Sequence, residues 1–551
     1  MFALQYHQST KHYFNRFARS AGLLDWATQP DPFRRYSGAP LIELPRDVVA
    51  GAVEYSALFD RRAPAQPIDD RSVAEFLRCS LGLSAWKRLR QSRWALRVNP
   101  SSGNLHPTEA YVLRDGRVCH YAPREHGLEL RTVLDPGAWQ AFTQGHDGFL
   151  VALTSIHWRE AWKYGERAFR YCQHDTGHAI GAMRLAAAML GWTLTLLPRW
   201  SDAQLETLLG LDRDSEWEDA EREEPECLAV VTSGTTRPWV AADPIPLVTS
   251  ARSASWHGRP NALSPGHVAW PIIESVAAAT RYPGGSTPPP SRAGVHARFG
   301  AAGNSQLLPL DQLPTNPLAR EVILKRRSAV AFDGRSTLPR ARFLSMLARL
   351  NPIAPPWDAI DWPPQVHLLI FVHRVEGLTP GVYTYLRDRS ALPEWRAAMR
   401  PEFLWENPPS PAGFGGASAP NDPNDPNDLY LLFPSDVTWP ANRVSCDQDI
   451  AGDGFFSLGM IARLESSLVE RGEWFYRRLF WECGLIGQVL YLEAEAAGAR
   501  GTGIGCFYDD GVHELVGLSG EKWQSLYHFS MGIPVDDPRL TTEPGYPWEV
   551  G

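Results

Sequence analysis

The chain has 551 residues, more than one ordinary hydrophobic core accommodates, so two or more domains are expected. Its net charge of -8, without a long basic run, argues against nucleic-acid binding, and no apolar run approaches the roughly 20 residues of a membrane span. The seven cysteines are dispersed without a CxxC pair, which favours neither a disulfide framework nor a zinc ribbon. No signal-peptide pattern is evident at the N-terminus, so we expect a cytoplasmic protein.

Strand-like and helix-like segments alternate along the chain. Short apolar runs predict buried strands at 149–156, 227–231, 366–375 and 429–433, and longer segments predict helices at 167–190 and 474–497. In the first helix, apolar residues recur every three or four positions from Phe169 to Leu190. Glycines interrupt both helices, which allows another backbone to approach and predicts a central position. The class predicted from this pattern is α+β.

The two long helices belong to an internal repeat. Gly165-Glu166 recurs 307 positions later as Gly472-Glu473, and the same ungapped offset holds for further pairs, namely Arg170/Arg477, Gly177/Gly484, Leu185/Leu492, Gly191/Gly498 and Gly210/Gly517. We therefore predict two diverged copies, copy one at 1–245 and copy two at 320–551. The Pro/Gly/Ser-rich stretch 246–319 is predicted to be a linker, and 407–428 a surface insertion.

Three short motifs are candidates for ligand binding. Copy one has Pro100-Ser-Ser-Gly-Asn104, a turn-forming loop with amides and hydroxyls that is suited to a phosphate or a polar ring edge, or to a plain turn. Copy two has Arg326-Arg327-Ser328, whose guanidinium forks suit a phosphate or a planar carbonyl. Copy two also has Gly501-Thr-Gly-Ile-Gly505, whose glycines allow close approach to a flat ligand. Copy one has Leu196 and Pro198 at the positions of Gly503 and Gly505, so only copy two keeps this loop.

Some residues also allow a metal or thiol interpretation. His174 and His178 are spaced like two zinc ligands on a helix, but Asp175 stands where a zinc protease needs Glu, and no third ligand is apparent. A scaffold role is the favoured interpretation of these histidines. Cysteines 172, 446 and 506 have no fixed His/Asp partner pattern, so they are predicted to be buried thiols.

Taken together, the motifs resemble the nitroreductase superfamily, and specifically its SagB-type peptide dehydrogenase branch. The resemblance covers most of both copies and also includes Trp162-Lys-Tyr-Gly-Glu-Arg-Ala-Phe-Arg-Tyr171. Members are typically homodimers with FMN at the interface, where one subunit supplies the Arg-Arg-Ser segment and the glycine loop and the other supplies the Pro-Ser-Ser segment. Here copy two keeps the first pair of elements and copy one keeps the second. The resemblance therefore implies a nitroreductase-like fold duplicated as an intramolecular pseudo-dimer with one intact flavin site.

The resemblance also implies roles for individual residues. Arg326 and Arg327 would divide between the FMN phosphate and the flavin carbonyl edge, next to Ser328. Pro100, Ser101, Ser102 and Asn104 would contact the ring from copy one. Further contacts would come from copy two, with Gly503, Ile504 and Gly505 leaving room for the ring and Arg539 as a weaker phosphate candidate.

Lys163-Tyr164 is similar to the Lys-Tyr pair of the SagB-type branch, where it would supply the base for oxidation of a peptide substrate. The pair could equally be the start of a helix. The leading hypothesis is an FMN-dependent dehydrogenase or oxidase of a peptide or small organic substrate, in a self-sufficient monomer or a higher oligomer. Two alternatives remain open: a reductase of nitro compounds or quinones with NAD(P)H as co-substrate, and a non-catalytic flavin-binding or scaffold partner of a peptide-modifying complex.

Overall fold

The computed structural model describes residues 1–285, 316–408 and 428–549. Between residues 1 and 285 the helices are α1 (Phe2–Ser9), α2 (Ala57–Asp60), α3 (Asp70–Ser80), α4 (Pro136–Thr143), α5 (His157–Tyr164), α6 (Ala168–Met189), α7 (Asp202–Leu209), α8 (Arg237–Ala241), α9 (Ile245–Ser253) and α10 (Pro271–Ala279). The strands of this part are β1 (Tyr36–Ser37), β2 (Leu41–Glu43), β3 (Leu83–Leu89), β4 (Ser92–Arg97), β5 (Thr108–Arg114), β6 (Arg117–Ala122), β7 (Gly127–Val133), β8 (Phe149–Ser155), β9 (Thr193–Leu196), β10 (Glu224–Thr232) and β11 (Arg259–Pro260).

From residue 316 onward the helices are α11 (Ala319–Lys325), α12 (Arg340–Ala348), α13 (Leu392–Ala398), α14 (Thr438–Val444), α15 (Ile450–Asp453), α16 (Leu464–Arg471), α17 (Phe475–Ala496) and α18 (Asp509–Val516). The strands are β12 (Val366–Val372), β13 (Gly381–Tyr385), β14 (Leu429–Pro434), β15 (Phe456–Arg463), β16 (Arg500–Ile504), β17 (Trp523–Gly532) and β18 (Thr541–Pro544). The helices predicted at 167–190 and 474–497 therefore form within one residue of the predicted ends.

The two halves contain the same antiparallel sheet. The order in copy one is β2-β7-β6-β5-β8-β10-β9, and that in copy two is β14-β13-β12-β15-β17-β16. Without the edge strand β2, the two orders are the same when strands are matched by chain position. Alternate residues of each sheet face opposite sides, and the inner faces of both sheets share one apolar core with the long helices. The predicted α+β fold with an internal duplication is confirmed.

The central helices α6 and α17 cross where both carry glycine. A Cβ on Gly177 would lie 2.3 Å from the backbone oxygen of Trp481, and a Cβ on Gly484 would lie 2.3 Å from that of His174. Trp481 is the position of His174 in copy two, so each contact is the counterpart of the other. Such reciprocal contacts are the property of a two-fold interface between identical surfaces. The chain is thus a pseudo-dimer within one polypeptide.

Each terminus packs on the opposite copy. In α1, the backbone N–H of Ala3 donates to Glu473 at 2.6 Å and the ring of His7 is hydrogen-bonded to Gln524 at 3.2 Å. At the other end, β18 pairs with β3 and extends the β3–β4 hairpin to three strands. The two copies are therefore joined by exchanged arms as well as by the helix crossing.

The described part of the predicted linker forms regular secondary structure. Residues 246–285 include most of α9, all of α10 and the short strand β11, which pairs with β1. Ile273 and Val276 of α10 are buried in the main core, because α10 packs against α1 and α6. The rest of the predicted linker up to residue 315, and 409–427 of the predicted insertion, lie outside the described residues. Within the described ranges, no helix has the length and apolar character needed to cross a membrane.

Candidate active site

A cavity of about 430 Å³ lies between the two copies. Copy one contributes the Pro100–Asn104 loop and one side of α6, and copy two contributes Arg326–Ser328, the glycine loop and Tyr527. Its volume falls within the range of roughly 300–1,000 Å³ that is typical of cofactor and small-molecule sites. Motifs more than 200 residues apart in sequence therefore share one cavity.

The polar loop of copy one follows β4 and is held by local hydrogen bonds. The backbone N–H and the hydroxyl of Ser102 donate to Asp175 at 3.1 Å, and the amide of Asn104 donates to the carbonyl of Ala95 at 2.9 Å. Gly103 has a φ of +59°, and a Cβ there would lie 2.6 Å from the hydroxyl oxygen of Tyr164. Only glycine lets the Tyr164 ring pack on this loop.

Two arginines of copy two line the cavity, and the carboxylate that acts on both is the more distant Glu495. Arg326 donates to the carbonyl of Arg97 at 3.0 Å, and Arg327 donates to the carbonyl of Ser84 at 3.0 Å. Neither forms an ion pair with a carboxylate among the described residues, and the buried Nε of Arg326 has no hydrogen-bond partner there. Burial lowers the pKa of both groups, and Arg326 further lowers that of Arg327, to about 10. Two adjacent cations, one buried and one half-buried, that form no ion pair within the described ranges make a site for an anion.

The glycine loop runs beside Ser328 and lies against two tyrosines. Ser328 forms a bridge to Gly501, and its hydroxyl is hydrogen-bonded to that of Tyr491 at 2.9 Å. A Cβ on Gly503 would lie 1.9 Å from the hydroxyl oxygen of Tyr527, and one on Gly505 would lie 2.2 Å from the ring of Tyr171. The loop was expected to leave room for a ligand ring. In the structure the space next to both glycines holds tyrosine rings, because the facing strand and helix project aromatic side chains there.

Asp175 supplies a buried carboxylate at the cavity wall. Burial raises its pKa to about 7 despite the hydrogen bonds from Ser101 and Ser102, which favour the charged form. Glu160 lies behind it and is fully buried. Burial and the neighbouring Asp175 raise the pKa of Glu160 well above its ordinary value. The cavity therefore holds an acid that exchanges its proton near neutral pH.

This raised pKa predicts how stability depends on pH. Between about pH 4 and 7 the native state keeps a proton on Asp175 that the unfolded chain has released, so wild-type stability falls as pH rises through this window. Asp175→Asn removes the titration. We expect the unfolding temperature of the variant, relative to wild type, to increase from pH 4.5 to pH 7.5 in thermal unfolding followed by circular dichroism.

Asp537→Asn is the matched control. A hydrogen bond from Arg539 lowers the pKa of Asp537 to about 2, so this group is ionised in both states above pH 4.5. The difference between its unfolding temperature and that of the wild type should be constant from pH 4.5 to pH 7.5. A constant difference for Asp175→Asn as well would show that Asp175 has an ordinary pKa.

The cavity gathers most of the predicted site residues. It is lined by Pro100, Ser101, Ser102, Asn104, Tyr164, Arg326, Arg327, Ser328, Gly503, Ile504 and Gly505. It is not lined by Lys163, whose ammonium lies 5.2 Å from the centre of the Tyr164 ring, or by Arg539. The Arg539 side chain is 74% exposed and pairs with Asp537 at 2.7 Å, because the segment after β17 turns towards solvent.

The histidines and cysteines considered from the sequence have protein neighbours of different kinds. His174 is hydrogen-bonded to the carbonyl of Leu526 and His178 to the hydroxyl of Tyr527, and the described residues contain no group of three side chains that could hold a metal. Cys172 is buried as predicted, but Cys446 and Cys506 are half-buried, because they lie in loops beside the cavity.

Sequence reasoning missed Asp175, Tyr491 and Tyr527 as cavity residues. Only Asp175 had a usable signal, because the 307-residue offset matches it to another acid, Glu482. Both carboxylates accept backbone N–H groups from a segment that leads into a strand of the sheet, Asp175 from Ser102 ahead of β5 and Glu482 from Gln365 ahead of β12. Glu482 is paired with Arg387, whereas Asp175 forms no ion pair within the described part of the chain.

The repeat relates the cavity to a second, equivalent position, and side chains fill that position. The corresponding space has a volume of about 20 Å³, enough for about one water molecule. Leu196 and Pro198 line it in place of Gly503 and Gly505, and Trp481 stands in place of His174. Arg478 there lies over the ring of Tyr282 at 4.5 Å. The geometry therefore provides one cavity of cofactor size at the two equivalent positions.

Comparisons with known proteins agree with this fold. Residues 61–220 match the family model described as Nitroreductase family. A solved structure from Anabaena variabilis, assigned as a nitroreductase, superimposes with a TM-score of 0.65 at 20% identity and covers 97% of this chain and 99% of its own.

Two further structures match part of the chain. One, assigned as a nitroreductase of Ralstonia eutropha, is 17% identical and covers 39% of this chain and 97% of its own, with a TM-score of 0.27. The other is the E. coli microcin synthetase McbBCD complex, which is 16% identical and covers 35% and 71%, with a TM-score of 0.25. None of the curated proteins matches the chain. Residues 61–220 are thus similar to the nitroreductase family, and the chain has the nitroreductase fold over nearly its whole length.

Proposed function

We propose that the protein is an FMN-dependent oxidoreductase with one flavin site, in the cavity between the two copies. The observation that carries the proposal is the pair Arg326 and Arg327, a buried and a half-buried guanidinium group that line this cavity and form no ion pair among the described residues. Placing two cations side by side away from water is unfavourable unless an anion neutralises them. The phosphate of FMN is an anion of the required kind, and the nitroreductase-family domain supports a flavin as the ligand.

The residues of the cavity fit this cofactor. Arg326 and Arg327 would hold the phosphate and the carbonyl edge of the ring, and the buried Arg326 Nε is a donor still without a partner within the described ranges. Ser101, Ser102 and Asn104 offer hydroxyl and amide groups from copy one. Bound FMN supplies hydride transfer to or from a substrate.

Two side chains of copy one can manage the proton that accompanies hydride transfer. Asp175 gains or loses a proton near neutral pH, since burial raises its pKa to about 7. Burial also raises the pKa of Tyr164 well above its ordinary value, so its hydroxyl stays protonated and can donate. Both lie on the same wall of the cavity, next to the polar loop.

The proposed substrate is a peptide or a small organic molecule that gives up a hydride, which rests on the similarity of Trp162–Tyr171 to the SagB-type branch. The family domain favours a second candidate, an NAD(P)H-dependent reductase of nitro compounds or quinones. Steady-state oxidation of NADPH with a nitroaromatic acceptor separates the two. Slow NADPH oxidation supports the peptide substrate, and rapid turnover supports the reductase.

Tyr164 and Lys163 are expected to differ in their effect on turnover. Tyr164→Phe removes the hydroxyl at the cavity wall and should lower kcat by about 100-fold or more, the usual range for a proton donor. Lys163→Ala removes an ammonium outside the lining and should change kcat by no more than a few-fold. Equal losses in both variants, measured by steady-state kinetics with the flavin content matched, would contradict this assignment.

The test of the cofactor is the visible absorption spectrum of the purified protein, with flavin quantified per chain after denaturation. One FMN per chain is expected, because the pseudo-symmetric space of about 20 Å³ is too small for a flavin. Two FMN per chain would contradict the single-site proposal. No flavin after incubation with excess FMN would contradict the cofactor and favour a scaffold role.

A further inference from the structure

Two half-buried cysteines meet beside the cavity. The Sγ atoms of Cys446 and Cys506 are 2.9 Å apart, although the residues are 60 positions apart in the chain. Cys506 follows the glycine loop directly and lines the cavity, and Cys446 lies in the loop after α14. The side chain of Gln448 donates to the carbonyls of both Ser445 and Cys506, at 2.7 and 3.0 Å, and so ties the two segments together. The two thiols are therefore held close enough to react with each other.

The surroundings of Cys506 stabilise its thiolate. The ring nitrogen Nδ1 of His12 accepts the backbone N–H of Ala18 at 2.9 Å, so the neutral imidazole carries its hydrogen on Nε2 and can donate it. His12 is hydrogen-bonded to Cys506, and Arg167 lies close enough to donate to the carbonyl of Gly505. The hydrogen bond from Cys446, with His12 and Arg167, lowers the pKa of Cys506 below its ordinary value in spite of burial. The same hydrogen bond raises the pKa of Cys446.

The other thiols lack both features. Cysteines 79, 119, 172, 227 and 483 are all buried, and burial raises the pKa of each. A thiolate that is accessible and has a neighbouring thiol is the arrangement of a reactive thiol pair, whereas buried thiols are inert. Cys446 and Cys506 should therefore react with a disulfide reagent much faster than the five buried cysteines.

We propose that Cys506 and Cys446 form a redox-active dithiol that exchanges with small-molecule disulfides at the wall of the cavity. The Cys506 thiolate attacks one sulfur of the disulfide RSSR, so that a Cys506–SR bond forms and one thiolate RS⁻ leaves. Cys446 then gives up its proton and attacks the Cys506 sulfur, which forms the Cys446–Cys506 disulfide and releases the second RS⁻. Two protein thiols are oxidised, RSSR is reduced to two RSH, and the two thiol protons end on the released thiols.

The test uses the purified full-length protein and glutathione as the probe. The protein is equilibrated with increasing ratios of oxidised to reduced glutathione, quenched with acid, alkylated and digested, and each cysteine is quantified by mass spectrometry. We expect the Cys446–Cys506 cross-linked peptide to appear with the five buried cysteines still reduced. If the pair stays reduced with oxidised glutathione alone, or if a buried cysteine reacts first, the proposal is wrong.

Two variants assign the roles of the thiols. Cys446→Ser should stop at a stable mixed disulfide between Cys506 and glutathione, and Cys506→Ser should form neither product. A mixed disulfide on Cys446 in Cys506→Ser, formed as fast as that on Cys506, would reverse the assignment of the attacking thiol. The wild-type measurement needs no variant, and it reads thiols, not flavin, so its result is independent of the proposed cofactor.

Discussion

The double variant Arg326→Ala/Arg327→Ala is expected to bind FMN at least about 100-fold more weakly than the wild type. Hydrogen bonds to charged groups contribute roughly 1.5–3 kcal/mol each, and about 1.4 kcal/mol corresponds to a tenfold change in Kd. Both guanidinium groups face the cavity without a carboxylate partner among the described residues, so their charge is available to an anion. Quenching of flavin fluorescence during titration of the flavin-free protein measures the affinity.

Arg539→Ala is the control for this double variant. Its side chain is exposed and does not line the cavity, although its partner Asp537 does, so its removal should leave the Kd for FMN within a few-fold of wild type. The flavin-free double variant should also unfold at about the wild-type temperature, because the hydrogen bonds it loses to the carbonyls of Arg97 and Ser84 are offset by the removal of two adjacent cations that form no ion pair among the described residues. Unchanged FMN affinity in the double variant would show that the flavin does not bind between these arginines.

Gly484→Ala is expected to be among the most damaging substitutions for folding. The added Cβ would lie 2.3 Å from the backbone oxygen of His174 and 2.7 Å from the backbone nitrogen of His178. These atoms belong to the facing helix α6 and cannot rotate away as a side chain could. Alanine gains about 1 kcal/mol of helix propensity over glycine, but overpacking against backbone should outweigh it and give a net loss of at least about 2 kcal/mol.

The measurement is thermal unfolding of the flavin-free variant beside Gly266→Ala. A Cβ on Gly266 meets no atom within 4 Å, so this control should unfold at about the wild-type temperature. Wild-type stability of Gly484→Ala would mean that the central helices are farther apart than the structure places them.

The parts of the fold that depend on local patterns were predictable from the sequence. The apolar spacing of α6 and its counterpart 307 positions later gave both central helices, and the apolar runs gave strands β8, β10, β12 and β14. The pairing of β18 with the β3–β4 hairpin has no local signal, because its partners are more than 400 residues apart. Helix α10 was predicted as linker because it lies in a Pro/Gly/Ser-rich stretch, and its burial depends on α1 and α6.

The same distinction applies to the cavity. Its loops were predictable, since turn-forming residues and adjacent arginines are visible in the chain itself. Tyr491 and Tyr527 were not, because they are single residues of a helix and a strand whose direction relative to the cavity depends on how the two copies pack. Cys446 and Cys506 were predicted to be buried, and their proximity arises only when the loop after α14 meets the end of β16.

The filled counterpart of the cavity bears on how such a chain can evolve. In a homodimer, every substitution appears in both binding sites, so neither can change alone. In the fused chain, Leu196 and Pro198 occupy positions whose counterparts, Gly503 and Gly505, line the open cavity. At the second position, side chains fill the space that a ligand would need and pack the two copies together. In a fused chain, one position can therefore bind a ligand while the other serves packing between the copies. A symmetric homodimer would have to meet both requirements with the same residues.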